Sequence, residues 1–253
     1  MQHYIELVWY KTYADLRVEV SRGYLGILWW VLEPVLYMIV FYVVFGIVFQ
    51  RGGEDYVAFL LIGLVTWRWF DSTVRIGSNQ LISNSNLMQK VYVPKILFPT
   101  ITVLTNTAKF LIVLSILLLF LVFYGVPVEN FWLALPVLFF IQLSLIIAIT
   151  WTVSVIVPFI PDIRIMVDSG LTLMFFMSGI FFDIESLPSL VAGDLRLNPM
   201  AILIESYRDV LINGNWPDWN TLGVVFLASL LLLFASFRLH RKFNYIFPKL
   251  GAS

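Results

Sequence analysis

No cysteine occurs in this 253-residue chain, and its two histidines, His3 and His240, stand near opposite ends. Disulfides, thiolate metal sites and cysteine nucleophiles are thereby excluded, and a zinc or haem centre has no ligand set to draw on. Charge is scarce too. Only 13% of residues are Asp, Glu, Lys or Arg, where soluble domains carry about 25%. Sixteen basic residues balance sixteen acidic ones, so there is no basic footprint for nucleic acid. No GxxxxGK[ST], HExxH or GxSxG motif is present, which excludes a P-loop nucleotide site and gives an enzyme reading nothing to stand on. The acidic neighbours Glu54-Asp55 and Asp183/Glu185 fall in turns or at span ends, where solvated turn residues are the ordinary reading. Residues 1–22 alternate charged and apolar and lack the continuous apolar run of a signal peptide.

What the chain has instead is 60% hydrophobic residues, 17% aromatics and a mean hydropathy of +0.89. Between Gly23 and Phe49 the only formal charge is Glu33. A hydrocarbon core of about 30 Å needs roughly 20 apolar residues as a helix, and this stretch is long enough, with a kink expected at Pro34. The pattern predicts an all-α integral membrane protein, a single transmembrane domain over residues 1–253 with six spans at about 24–49, 57–81, 100–124, 132–157, 163–182 and 221–237. Residues 3–20 read as an amphipathic interfacial helix, with Ile5, Val8, Trp9, Leu16 and Val20 on one face. Residues 183–219 form the sizeable extramembrane segment, within which Asn198 and Pro199 start a short helix that stops at Asn213-Gly214.

Lysine and arginine asymmetry sets the orientation. With the N-terminus cytoplasmic, ten of the sixteen lie on the inner side, three on the outer side and three (Arg68, Arg75 and Lys109) within spans. Both termini are then cytoplasmic and 183–219 is external.

Ionisable residues inside spans are the functional hint in such a chain: Glu33, Arg68, Asp71, Arg75, Lys109 and Asp168. Arg68, Asp71 and Arg75 share a helix face. Depth counting places Asp71 and Lys109 level on adjacent antiparallel spans, which predicts that Asp71 bridges Lys109 and one arginine and leaves a net positive vestibule suited to a pyrophosphate-linked lipid head. The same carboxylates admit another reading, a proton-coupled secondary carrier in which Asp71 or Asp168 titrates. Trp29, Trp30 and Tyr37 lie deeper than an interfacial belt and suit a wall on which sugar rings stack.

Several stretches together resemble a known family. RVEVSRGYLGILWWVLEPVL, with its S-x-x-Y-L-G-x-L-W-x-x-L-x-P pattern, is similar to the opening of the membrane subunits of ATP-binding-cassette exporters for bacterial polysaccharides. LIGLVTWRWFDSTVRIGSNQLISNSNLMQKVYVPKILFP resembles their second span and the segment after it, and IPDIR followed by LNPMAILIESYRDVLINGNWPDW their fifth span and external segment. The matches run in family order over most of the chain, though Pro161-Asp162-Ile163-Arg164 stands where the family often carries an Arg-rich turn. The resemblance implies six spans, an interfacial N-terminal helix and short re-entrant external helices. It implies a homodimer working with two copies of a separate ATPase, with ATP and magnesium on that partner and no cofactor in this chain. The cargo it implies is a lipid-linked polysaccharide: O antigen, with capsule or teichoic acid as alternatives. It assigns ATPase coupling to the 84–95 segment (Asn86, Leu87, Met88, Gln89, Lys90, Tyr92 and Lys95). An external gate at Asn198, Pro199, Glu205, Tyr207 and Arg208 is expected, with Ser206 and Tyr207 open to reagents as it moves.

Overall fold

The computed structural model describes residues 2–21, 26–48, 55–90, 93–184, 188, 193 and 195–244. Among them there are helices and no strand. Helix α1 is Gln2–Ser21. Helix α2, Leu28–Phe41, continues as a π-helical stretch, Tyr42–Val48. Then come α3 (Tyr56–Ser78), α4 (Gln80–Ser83), α5 (Ser85–Lys90) and α6 (Leu97–Tyr124). A 3₁₀ turn at Asn130–Ala134 leads into α7 (Leu135–Ile156), followed by α8 (Asp162–Met177). Helix α9 (Pro199–Arg208) ends in a π-helical turn, Asp209–Asn213, and α10 is Trp219–Phe243.

Five helical segments of the described residues are long and apolar enough to cross a bilayer: Leu28–Phe45, Tyr56–Ser78, Leu97–Tyr124, Asn130–Ile156 and Trp219–Phe243. They match five of the six expected spans. Helix α8, at the place of the remaining one, has 16 residues, about 24 Å at 1.5 Å per residue, and its first half carries Asp162, Arg164 and Asp168.

Helix α3 is the hub. In its span 78% of residues are buried within the chain, against 6% for α2, so α3 is the span that this chain covers from lipid on most sides. Trp69 stacks between Phe110 of α6 (centroids 4.1 Å apart) and Phe139 of α7 (5.1 Å). Gln142 of α7, fully buried between spans, donates its amide to the Thr66 carbonyl at 2.9 Å. Gly77 lets α7 approach closely: a Cβ there would lie 2.2 Å from the Thr150 Cγ2. Small residues at such crossings let helices associate by close packing in lipid. The longest helix pairing is that of α7 with α10.

Helix α1 lies along α6, burying Val8 and Thr12. Of the face expected to be apolar, Val8 packs inward. Ile5, Trp9, Tyr10 and Tyr13 stay exposed, a ring-rich outer surface of the kind found at the membrane–water boundary.

Candidate functional site

The charged residues of the spans assemble around α3 in two adjoining groups, with Glu33 and Arg68 between them. In the first, Glu33 of α2 accepts from Arg68 at 2.5 Å. Arg75 donates to Asp71 one turn earlier at 2.8 Å and to Asp168 of α8 at 2.9 Å. Glu33, Arg68, Asp71 and Arg75, with Tyr37, Phe41, Trp67, Phe175 and Phe176, line a cavity of about 300 Å³ between α2, α3 and α8. Five aromatic rings make up most of its apolar wall, and its charged part is a ladder of guanidiniums and carboxylates.

In the second, Lys109 of α6 pairs with Glu19 of α1 and sits 5.7 Å from the Trp30 ring centroid. The Trp30 indole donates to Glu19 at 3.3 Å. These residues, with Arg68, Ser72 and Asn106, border a second cavity of about 130 Å³.

The expected Asp71–Lys109 bridge therefore does not form. Trp69, which faces α6, precedes Asp71 by two residues and so stands about 160° from it round the helix. Asp71 points at α8, and Lys109 takes its carboxylate from α1. The net positive vestibule fails with the bridge. Glu33 and Asp71 meet Arg68 and Arg75 in the lining, two carboxylates against two guanidiniums, and Asp168 adds a further carboxylate to Arg75. Of the expected channel residues, Tyr37, Arg68, Asp71 and Arg75 share the first cavity, Trp30 and Lys109 belong to the second, and the exposed Trp29 borders neither.

The segment after α3 folds as two short helices. Asn79 ends α3, and the Asn84 carboxamide donates back to the Gln80 carbonyl at 2.9 Å, a local bond typical of asparagine at a break. On α5, Met88 is buried beside Leu81, Phe98 and Val155, while Asn86, Leu87 and Gln89 face outward. Lys95 is 2% exposed. Its ammonium donates to the Met88 carbonyl at 3.3 Å, and its backbone N–H donates to the Asn244 side chain at 3.0 Å. Met88 and Lys95 thus brace the segment instead of presenting it, contrary to their place among the expected docking residues. The Lys90 side chain and Tyr92 lie outside the described residues.

In the segment expected to be external, Asn198 caps α9 as its sequence predicts, its side chain accepting from the Met200 N–H at 3.0 Å and donating to Ser178 at 2.8 Å. Gly214, at φ +63°, closes the helical run. Glu205 accepts from Arg196 at 3.1 Å. Arg208, named for the expected external gate, turns inward. It is 5% exposed and donates to the carbonyls of Gly179 (2.7 Å), Ile180 (2.9 Å) and Phe59 (3.1 and 3.2 Å). Its guanidinium lies 3.3 Å from the Phe59 ring centroid. Burial brings its pKa down to about 9, against the pull of Asp183 and Glu205, so it stays charged at neutral pH. Ser206 and Tyr207, where reagent access is expected to change as the gate moves, are both buried in this structure, and burial pushes the Tyr207 phenol up. A signal for Arg208 was present: Ile204 four residues before and Leu211 three after put it on the apolar face.

Among the described residues no three His, Asp or Glu side chains gather in a metal-binding arrangement. What the site offers is a stack of aromatic rings and paired charges along one helix, which suits a path better than a reaction centre.

Residues 7–212 match the family described as ABC-2 type transporter. The chain is 25% identical over 240 residues to the O-antigen export system permease protein RfbA of Klebsiella pneumoniae, covering 94% of this chain and 92% of that one. It is 29% identical over 224 residues to the protein of the same name from Myxococcus xanthus, covering 88% and 86%. To the polysialic acid transport protein KpsM of Escherichia coli it is 23% identical over 234 residues, covering 90% and 89%.

Proposed function

Since the chain belongs to the ABC-2 type transporter family, as a non-catalytic multi-pass membrane permease, we propose that it forms the channel of an exporter for a lipid-linked polysaccharide. O antigen is the favoured cargo, because relatives named for O-antigen export match at 25% and 29% identity against 23% for the polysialic acid transporter. Capsule or teichoic acid is the alternative within the family. The observation that carries the reading is the cavity between α2, α3 and α8. Aromatic rings there offer faces to sugars, and the Arg68 and Arg75 guanidiniums offer bidentate partners to phosphate oxygens.

The finer reading follows from this. The chain is a single transmembrane domain with both ends cytoplasmic, and α8 with the turn after it serves as the fifth of six spans. The apolar residues exposed on α2 and α8, among them Leu36, Val40, Leu173 and Met177, close the path against a second copy. Two copies of an ATPase, holding the ATP and magnesium, dock on the outward face of α5 through Asn86, Leu87 and Gln89. Helix α9, from Asn198 and Pro199 through Glu205, Tyr207 and Arg208, forms the external gate and moves together with the α8–α9 connection to which Arg208 is bonded. A proton-coupled carrier is disfavoured because Asp71 and Asp168, the carboxylates it would use, are both bonded to Arg75.

The test is complementation. In a strain lacking its own copy, the chain and its ATPase should restore cell-surface polysaccharide. Leu87→Asp should abolish export, and co-purification of the ATPase, with the permease still in the membrane. Surface polysaccharide without any ATPase would favour the carrier, and wild-type export by Leu87→Asp would remove α5 as the docking site.

A further inference from the structure

The second cavity opens on the flank where α1, α2, α3 and α6 meet, and it adjoins the proposed path across the Glu33, Pro34 and Arg68 side chains that border both. Its polar lining is made of two ion pairs, Glu33 with Arg68 at 2.5 Å and Glu19 with Lys109. It also holds Asn106, which is 4% exposed and lines the cavity. Neighbouring Thr102 and Thr107 bond back to their own helix, whereas the Asn106 carboxamide, with two donors and an acceptor to satisfy, makes no hydrogen bond among the described residues. A buried amide left this way calls for a partner that the folded chain does not supply. At about 130 Å³ the space exceeds the roughly 30 Å³ share of one water. From its rim, Ile112, Ile116 and Leu119 of α6 run on as exposed apolar side chains.

We propose that this cavity binds the headgroup of a zwitterionic phospholipid carrying a primary ammonium, phosphatidylethanolamine in class, with its acyl chains along α6. The charge pattern selects the headgroup. A simple anion entering here takes Arg68 or Lys109 away from its carboxylate and leaves Glu33 or Glu19 without a counter-charge in a low-dielectric site. A cation does the reverse. A head that brings both signs exchanges each pair for two new ones: phosphate oxygens to Arg68 and Lys109, ammonium to Glu19 and Glu33. The Asn106 amide reaches the phosphate ester between them. Three ammonium N–H donors match the carboxylates, which a trimethylammonium group cannot do. The Trp30 ring, already beside the Lys109 ammonium, walls the cationic end. The site also joins α1, which packs on α6, to α2 and α3, so the lipid holds the N-terminal helix against the rest of the bundle.

This inference needs only the membrane location of the chain, and its test does not read export, so it stands or falls separately from the cargo. The full-length protein is purified in detergent from vesicles of phosphatidylethanolamine, phosphatidylglycerol or phosphatidylcholine, and the lipid retained per chain is counted by native mass spectrometry. The expected result is one phosphatidylethanolamine per chain, at least tenfold over either other lipid, with a melting temperature several degrees above that of the delipidated protein. Asn106→Leu should cut retention at least tenfold. Ser72→Phe, which fills the cavity from α3, serves as a second variant should Asn106→Leu fail to fold. Equal retention of phosphatidylglycerol would overturn the zwitterion assignment, and equal retention of phosphatidylcholine the ammonium–carboxylate contact. Full retention by a folded Asn106→Leu or Ser72→Phe would remove the site.

Discussion

Arg208 is the side chain with most at stake. Four donor contacts to three carbonyls tie α9 to the start of α3 and to the turn that follows α8. The Gly179 and Ile180 carbonyls lie past the end of α8 and take their donor from Arg208, and a buried acceptor left unmade costs about 1–3 kcal/mol. Arg208→Met is therefore expected to lower the melting temperature of the purified protein sharply, with a loss on the order of 3 kcal/mol. Arg208→Lys recovers a minor part, because a point ammonium cannot fork to three carbonyls. The charged network of the spans makes a second residue-scale case. Asp71 and Lys109 have separate partners, so Asp71→Asn and Lys109→Met should add to within about 0.5 kcal/mol. Asp71→Asn and Asp168→Asn, which share Arg75, should not. A measured coupling between Asp71 and Lys109 would mean that the α3 face is assigned wrongly. Sequence periodicity put Arg68, Asp71 and Arg75 on one face correctly. It could not choose the partners, because a face angle says nothing about which neighbouring helix stands opposite.

At the scale of elements, local chemistry made the helix ends legible. Asn198 and Pro199 start α9 and Gly214 closes it, as the cap and turn preferences predict. Removing the cap with Asn198→Ala should cost about 1 kcal/mol, visible as a lower melting temperature. The crossing of α3 and α7 was not legible. Nothing near Gly77 in the sequence announces Thr150, 73 positions on, and the close approach emerges only when the helices are docked. Gly77→Ala should destabilise by about 1–3 kcal/mol. Thr150→Ser, which deletes the Cγ2 that the new methyl would strike, should restore most of the loss in the double variant. If the double variant is as unstable as Gly77→Ala alone, the clash is not the cause. Helix α8 shows the opposite difficulty. Its apolar run invited extension to residue 182, but Ser178 and the positive-φ Gly179 (+67°) end it early. That frees the carbonyls that Arg208 uses.

Over the whole molecule, burial is distributed unevenly. Helix α3 is enclosed although its mean hydropathy, 1.3, is the lowest of the five candidate spans. Hydropathy alone ranks it as the weakest span, and its Arg68, Asp71 and Arg75 explain why. Span positions came from composition, but the reason α3 tolerates charge is tertiary: Glu33 arrives from α2 and Asp168 from α8. That dependence has a consequence for biogenesis. Helix α3 leaves the ribosome 93 residues before its partner Asp168. An unpaired charge at mid-bilayer costs about 2.5–3.5 kcal/mol on insertion scales. In the interval α3 has its own Asp71–Arg75 pair and Glu33, and is otherwise held by the insertion machinery or by a transient shallow position. Chains truncated after Tyr124 should therefore be extracted by alkali and degraded quickly in pulse–chase experiments, and chains extended past Met177 should be retained. The final depth of the second span is then settled after synthesis of the fifth apolar stretch, so that this protein is threaded into the membrane in one order and fixed there in another.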